Sequence, residues 1–242
     1  MTYSSIFKGW ATVLVAILAA TLLSVAAFTT GAGAQEAGCS GKVVLDAGHG
    51  GTDYGAVYRE NTTYELREKD QTLNVAKRLR ALLEYDGCTV YMTRTDDRTL
   101  SNNDRYTYAN TKGADVLISI HMNGASTSST DYTTTLFGKW RKDKELAYAV
   151  FGDNVNPPKI NPPYYGLRTL SAVNGSGSIS TKTPYSFASG VLLKSNMPAT
   201  IAETVFITND GEARDLSDGT VDRQQEIAEA LRTGIEHYLR TH

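Results

Sequence analysis

The sequence predicts one α/β domain over residues 40–242, with a mostly parallel, twisted sheet of about six strands flanked by helices. Short β-rich runs alternate with amphipathic stretches at helical spacing. The run Asp115–Ile120 is almost entirely apolar, as expected for a strand buried on both faces of a parallel sheet. The 242 residues are 41% hydrophobic and 21% charged, which is typical of a globular protein and excludes disordered and fibrous classes.

The first half of the domain is predicted to be a βαβαβ unit. Its three strands are Lys42–Asp46, Val90–Met92 and Asp115–Ile120. The first helix presents an apolar face and ends near the C-cap signal Asp86-Gly87; that face is formed by Leu73, Ala76, Leu79 and Leu83. The second helix, Ser101–Gly113, has a polar start and a glycine stop.

The second half is predicted to complete the sheet. We expect an outer strand at Tyr132–Phe137, a short helix at Lys142–Phe151, and further strands at Val191–Leu193 and Ala199–Ile207. Between them, the stretch Gly152–Phe187 is rich in proline, glycine and serine, which indicates long surface loops. A closing helix should pack on the sheet through residues repeated every four positions, namely Ile227, Leu231, Ile235 and Leu239.

Residues 1–34 have the pattern of a secretory signal peptide. The uncharged run Ala11–Phe28 follows Lys8 and is followed by the small residues Ala32-Gly33-Ala34, where we expect cleavage. The alternative is an uncleaved anchor, because the run is nearly long enough to span a bilayer. Glu36 lies three residues before Cys39, which argues against lipidation. We therefore expect a secreted, periplasmic or wall-associated protein without a permanent membrane anchor after cleavage.

Export permits a disulfide bond, and the two cysteines are placed to form one. Cys39 and Cys88 each stand just before a predicted strand. If those strands are parallel neighbours, the two thiols begin at the same edge of the sheet. We predict a Cys39–Cys88 disulfide, with two free thiols as the alternative.

Charge and motif content exclude several function classes. The formal net charge is −2 with acids and bases interspersed, so no basic stripe is present to bind nucleic acid. The sequence has no H-E-x-x-H, G-x-S-x-G, P-loop or G-x-G-x-x-G motif. Two cysteines are too few for a thiolate zinc site, so a metal centre must use histidine and carboxylate ligands.

Two of the four histidines are candidate metal ligands. His49 lies in a glycine-rich loop directly after the first strand, and His121 ends the third. Ligands in open α/β sheets bind beyond the carboxyl ends of the strands, where both imidazoles should point. A catalytic zinc ion takes three protein ligands, commonly two histidines and a glutamate. Residue types alone leave that third ligand open among Glu60, Glu65 and Glu68.

Glu203 lies within the otherwise apolar strand Ala199–Ile207. An unpaired carboxylate there is costly, so we expect compensation by a nearby cation and a possible acid/base role. The alternative is an outward-facing residue on an edge strand. His237 and His242 belong to the closing helix and tail, and we expect them at the surface.

An ordered set of motifs resembles one known family. The chain contains Val43-Val-Leu-Asp46-Ala-Gly-His49-Gly-Gly51, Arg67-Glu68-Lys-Asp70, Thr93-Arg94, Asp104-Arg105, Ala109-Asn110, Ala114-Asp115, Ser119-Ile-His121-Met-Asn123, Pro198 and Glu203-Thr-Val-Phe-Ile-Thr-Asn209. In order, spacing and strand context, this set resembles the zinc-dependent N-acetylmuramoyl-L-alanine amidases of bacterial cell walls, from Lys42 to the C-terminus.

The resemblance implies the ligands, the cofactor and the reaction. Glu68 would be the third zinc ligand beside His49 and His121, and Glu203 the catalytic acid/base. The bond cleaved would be the amide between N-acetylmuramic acid and the L-alanine of the stem peptide in peptidoglycan. We expect a monomer, and we expect Asp46 to orient a ligand.

Two other functions remain open at this point. A zinc peptidase or deacetylase acting on another wall amide would use a similar ligand set. A non-catalytic wall-binding module on the same fold would be expected to lack a ligand or the acid. No inhibitory helix is evident between His121 and Glu203, and no wall-binding repeat is present in the sequence.

Overall fold

In this computed structural model the strands are β1 (Lys42–Ala47), β2 (Val57–Tyr58), β3 (Leu66–Arg67), β4 (Thr89–Met92), β5 (Val116–Asn123), β6 (Thr133–Leu136), β7 (Gly177–Ser180) and β8 (Ala199–Phe206). Six of them form one sheet in the order β4-β1-β5-β8-β6-β7, with β5 and β8 at its centre. Strands β4, β1, β5 and β8 run parallel to one another, and β6 is antiparallel to β8. Strands β2 and β3 form a separate antiparallel hairpin.

Helices cover both faces of the sheet. They are α1 (Glu68–Tyr85), α2 (Asn102–Lys112), α3 (Trp140–Phe151), α4 (Ser186–Lys194), α5 (Asp210–Ser217) and α6 (Arg223–Thr241). Helices α1, α3 and α6 bury the larger core against one face of the sheet. Helices α2 and α4 bury a smaller core, which includes Leu117 and Ile201, against the other face. This is the predicted α/β fold.

The structure describes residues 39–152, 166–170, 177–180, 186–217 and 222–242. The expected signal peptide, residues 1–34, lies outside these ranges. Residues Gly38–His242 form a compact unit by themselves. Among the helices in the described part of the chain, none is sufficiently long and apolar to cross a membrane.

The predicted βαβαβ unit is confirmed, including its caps. Helix α1 ends at Tyr85 with Asp86 as C-cap. Helix α2 begins with a capping box, in which the Ser101 hydroxyl accepts a hydrogen bond from the Asp104 N–H and the Asp104 carboxylate accepts one from the Ser101 N–H. It ends at Gly113 in the left-handed conformation.

Two predictions for the second half are wrong. The segment Tyr132–Phe137 is not an outer strand: β6 pairs with β8 on one side and β7 on the other, and its threonines are buried. The Thr133 hydroxyl donates to the Thr204 carbonyl oxygen, so its polar group is satisfied inside the sheet. The segment Val191–Leu193 is helical, because a three-residue apolar run does not distinguish a strand from one buried turn of a helix.

The loop prediction for Gly152–Phe187 is wrong in part. A short 3₁₀ helix, Leu167–Leu170, buries both of its leucines, and β7 adds a strand to the sheet. Other residues of this stretch lie outside the described ranges. Two elements were not predicted: the β2–β3 hairpin and helix α5.

The predicted disulfide is confirmed. Cys39 and Cys88 are bonded, and their Cα atoms are 4.8 Å apart across the starts of β1 and β4. The two cysteines are 49 positions apart in the sequence, so the bond closes a loop that contains β1 and α1.

Replacing both cysteines by serine should lower the free energy of unfolding by about 4 kcal/mol, because the loop of the unfolded chain is no longer closed. Denaturant unfolding of the oxidised wild type and the double variant measures this difference. Under reducing conditions the two proteins should unfold at the same denaturant concentration. Equal stability of the oxidised proteins would contradict a stabilising role for the bond.

Candidate metal site

The first candidate ligand lies in a tight loop directly after β1. His49 has a backbone φ of 59°, in the left-handed region that is unfavourable for most side chains. The loop is held in this conformation by backbone hydrogen bonds: the Gly48 N–H donates to the Ile120 carbonyl at 2.9 Å, and Gly50 and Asp53 exchange two bonds at 2.9 and 3.1 Å. This conformation places the His49 imidazole beyond the carboxyl edge of the sheet, beside β5.

Three potential ligand atoms converge at this edge. His121 Nδ1 lies 3.2 Å from His49 Nε2 and 3.0 Å from Glu68 Oε1, and His49 Nε2 lies 3.1 Å from the same carboxylate oxygen. Within the described ranges, this is the cluster of histidine and acidic side chains that could hold a metal ion. The structure therefore brings together the three residues that the sequence analysis named.

The structure distinguishes among the three candidates for the third ligand. Glu68 is the first residue of α1 and is only 3% exposed. Its Oε1 accepts a hydrogen bond from the Met122 N–H at 2.9 Å, and its Oε2 accepts one from the Ala56 N–H at 2.8 Å. Glu65 instead bonds to Asn61 and Arg67 within the hairpin. Glu60 is exposed to solvent.

Glu68 is held in its ionised form. Burial by itself raises the pKa of a carboxyl group. Hydrogen bonds and positive charge from His121 and His49 outweigh that effect and hold the pKa of Glu68 well below its usual range. An anionic carboxylate is the protonation state of glutamate that a divalent metal ion requires.

Asp53 orients His49, and the sequence analysis missed it. Its carboxylate Oδ2 lies 2.9 Å from His49 Nδ1, on the side of the ring away from Glu68. Burial lowers the pKa of His49, but Glu68 and Asp53 together raise it to about 9. The Asp53 carboxylate therefore faces one side of the ring, and the Nε2 atom faces the cluster. The available signal was an acid four residues beyond a candidate ligand, across a glycine turn.

Two glycines make the close approach possible. A Cβ atom at position 48 would lie 2.5 Å from Cε1 of His121, so no other residue fits there without moving that ring. A Cβ atom at position 55 would lie 2.4 Å from Glu68 Oε2 and 2.6 Å from His49 Cδ2, and Gly55 has a φ of 67°. The cluster therefore depends on the absence of side chains at these positions.

A buried ion pair fixes the loop from beneath. Asp46 is fully buried at the end of β1 and accepts hydrogen bonds from Arg105 Nη1 at 2.7 Å, from the Thr93 hydroxyl at 2.6 Å and from the Ser119 hydroxyl at 2.7 Å. Burial raises the pKa of Asp46, but the Arg105 charge and these hydrogen bonds outweigh it, so the pKa is lowered. The pair is therefore charged and well satisfied.

The two arginines near this pair bind the backbone of the histidine loop. Arg105 donates to the carbonyl oxygens of Ala47 and His49, both at 2.8 Å, and Arg94 donates to those of Ala47 and Gly48, both at 2.9 Å. We expected Asp46 to orient a ligand. It does not contact an imidazole, and acts instead through Arg105 on the His49 backbone.

Glu203 lies beside the cluster on β8. It is the register partner of His121 across the parallel pair β5–β8, so both side chains project from the same face of the sheet. Strand β8 is internal, with β6 on its other side, so the edge-strand alternative is wrong. Burial raises the pKa of Glu203 to about 7, although the charge of His121 opposes the shift. A carboxyl group of this kind can accept and return a proton at neutral pH.

Comparisons with known proteins agree with this geometry. Residues 43–237 match the Amidase_3 family, described as N-acetylmuramoyl-L-alanine amidase. The chain is 31% identical over 232 residues to AmiA of Salmonella typhimurium, covering 85% of this chain and 78% of that protein. It is 30% identical over 224 residues to AmiC of Escherichia coli, covering 81% of this chain. It spans about half of AmiC, 52% of its length.

Solved structures show the same fold. An N-acetylmuramoyl-L-alanine amidase from Clostridium difficile 630 superposes with a TM-score of 0.66 at 29% identity, covering 83% of this chain and 97% of that one. The catalytic domain of CwlV from Bacillus (Paenibacillus) polymyxa var. colistinus also has a TM-score of 0.66, at 27% identity, covering 84% and 99% of the two chains.

Replacing Arg105 with methionine should lower the free energy of unfolding by about 3–5 kcal/mol, because Asp46 is left as an uncompensated buried charge. Chemical denaturation measures this loss. The double variant Asp46→Asn/Arg105→Met should recover part of the stability, since the buried charge is then absent. A loss in the single variant no larger than that of the exposed-site control Arg141→Met would contradict the role of the pair.

Proposed function

Because the chain belongs to the N-acetylmuramoyl-L-alanine amidase family, we propose that it hydrolyses the amide bond between N-acetylmuramic acid and the L-alanine of peptidoglycan stem peptides, with zinc as cofactor. The observation that carries this proposal is the convergence of His49, Glu68 and His121 beside Glu203. The reaction would take place outside the cytoplasm, in agreement with the disulfide bond.

The three side chains suit zinc. Two imidazoles and one glutamate form a common ligand set of catalytic zinc sites. A tetrahedral zinc ion with bonds of about 2.0–2.1 Å holds its ligand atoms about 3.3–3.4 Å apart. The ligand atoms here are separated by 3.0, 3.1 and 3.2 Å, so little movement would be needed to accept the ion. Three protein ligands leave a position for substrate or water.

Zinc, when bound, supplies a Lewis acid that polarises the scissile carbonyl and makes a water molecule more acidic. Glu203 would accept the proton of the attacking water at its carboxylate and then deliver it to the nitrogen of the leaving L-alanine. His121 is its neighbour in register, so the acid/base group and one ligand are held by the same strand pair. The Asp53 carboxylate would keep the His49 ring oriented toward the cluster.

A non-catalytic wall-binding module is not favoured. Such a module would have no need to keep a carboxyl group of raised pKa beside an intact three-residue cluster. A zinc peptidase acting on another wall amide would use the same groups, so the products must distinguish the two enzymes.

Digestion of purified peptidoglycan identifies the bond. The protein should release free stem peptides that begin with L-alanine and leave the glycan intact, as read by mass spectrometry of the products. A chelator should abolish release, and added zinc should restore it. Shortened peptides still attached to glycan would instead establish a zinc peptidase, and an absence of cleavage by the zinc-loaded protein would contradict hydrolysis.

The substitution Glu203→Gln should reduce turnover by about 10²- to 10⁴-fold, because the proton acceptor and donor is lost while the side chain keeps its size. Zinc content, measured by elemental analysis, should stay at the wild-type level. Near-normal turnover in this variant would exclude Glu203 as the acid/base.

The substitution Asp53→Asn should weaken zinc binding by about 10- to 100-fold, because the amide no longer fixes the His49 ring. Competition with a chromophoric chelator measures the affinity. The matched control is Glu60→Gln, an exposed acid between β2 and β3, which should bind zinc as the wild type does. Equal affinities for both variants would show that Asp53 does not support the site.

A further inference from the structure

The opposite edge of the sheet has a surface of a different kind. The parallel strands begin there, at Lys42 in β1, Val116 in β5 and Ala199 in β8. His121 lies five residues along β5 from this edge, a distance of about 16 Å at the rise of a β-strand. We call this side of the domain the amino edge. It is separate from the candidate metal site.

Large apolar side chains are exposed at the amino edge. Trp140, the first residue of α3, is 57% exposed, and Leu193, in the last turn of α4, is 47% exposed. The two segments are adjacent, since a Cβ atom at Gly138 would lie 2.8 Å from Leu193 Cδ2. Grouped apolar side chains of this size mark interaction surfaces more often than isolated ones do.

Basic side chains lie on the two helices that carry these apolar groups and also further along the amino edge. The first set is Arg141, Lys142, Lys144 and Lys194, and the second is Lys42 and Lys112. Several are held by uncharged groups: Lys142 donates to the Asn196 carbonyl oxygen, Lys112 lies 4.5 Å from the ring centroid of Tyr108, and Lys194 lies 5.5 Å from that of Tyr106.

Nearby acids are already engaged. Asp143 is buried and lies 3.1 Å from Lys139, and Asp115 accepts a hydrogen bond from the Lys42 backbone N–H. Glu145 lies 3.9 Å from Lys144. Around Trp140 and Leu193, the cations Arg141, Lys142, Lys144 and Lys194 outnumber the acids Asp143 and Glu145. This part of the amino edge is therefore locally basic in a chain whose formal net charge is −2.

The chain also enters the domain at this edge. Cys39 precedes β1 and is bonded to Cys88 before β4.

We propose that the amino edge docks on the surface of an anionic lipid bilayer. Trp140 and Leu193 would enter the interfacial region, where tryptophan is favoured and an exposed leucine gains burial. The lysines and Arg141 would contact headgroup phosphates. In this orientation the metal site faces away from the bilayer. A soluble polyanion would satisfy the cations alone and leave Leu193 exposed, so a bilayer fits the whole surface better.

Residues 38–242 provide a direct test, because they form a compact unit and a solved relative consists almost entirely of the same fold. This part of the chain contains one tryptophan, Trp140, since the other is Trp10. Vesicles of phosphatidylcholine, with and without phosphatidylglycerol, are the probe. We expect sedimentation with the anionic vesicles, a blue shift of Trp140 fluorescence and release by salt.

Matched charge reversals locate the surface. The variant Arg141→Glu/Lys194→Glu keeps Trp140 as reporter. It should bind anionic vesicles at least about tenfold more weakly than the wild type, because the attraction to the headgroups becomes repulsion at these two positions. The control Arg59→Glu/Arg214→Glu makes the same change in net charge at two exposed arginines outside the amino edge and should bind as the wild type does.

Three results would overturn the proposal. One is equal weakening by both double variants, which would indicate a general charge effect. Another is binding to soluble poly(glycerol phosphate) with no fluorescence shift on vesicles, which would indicate a wall polymer as the partner. The third is no binding to either probe while thermal unfolding shows a folded protein.

Discussion

The buried ion pair between Asp46 and Arg105 is the interaction on which the site depends. It lies under the histidine loop, where the last residues of β1 turn away from the sheet. Carbonyl oxygens in such a turn have no strand partner, and an unpaired buried carbonyl is costly. Arg105 and Arg94 supply the missing donors, and Asp46 makes it possible to bury Arg105 as a cation. These hydrogen bonds hold the backbone of His49 in its unfavourable left-handed conformation.

The second constraint is that the three candidate ligand side chains must approach one another closely. His49, Glu68 and His121 belong to three different elements, and each element delivers its side chain to one point at the carboxyl edge of the sheet. Gly48 and Gly55 leave room for them to meet. The Glu68 carboxylate is thus ionised and the three side chains are already close together before any metal arrives, which reduces the reorganisation that binding requires.

The two ends of the parallel strands carry different chemistry. The carboxyl edge gathers acids and imidazoles around one point, whereas the amino edge carries lysines, an exposed tryptophan and the disulfide that joins β1 to β4. A parallel sheet keeps the two apart, because the loops that follow its strands all lie at the carboxyl edge and the loops that precede them all lie at the amino edge. Chemistry at one edge can therefore vary without disturbing attachment at the other.

Sequence pattern by itself determined the strands and capped helices of the βαβαβ unit, because these depend on neighbours along the chain. The disulfide followed from that unit, since each cysteine directly precedes one of two neighbouring parallel strands. The same pattern located His49 and His121, since both follow apolar runs. It left Glu68 open among nearby acids, and only the family resemblance singled that residue out. The pattern did not find Asp53 or show that Val191–Leu193 is helical. The tertiary structure decided these two points and showed why Glu68 is suited to the site, because they depend on which groups surround a side chain after the chain has folded. Linear spacing does not carry that information.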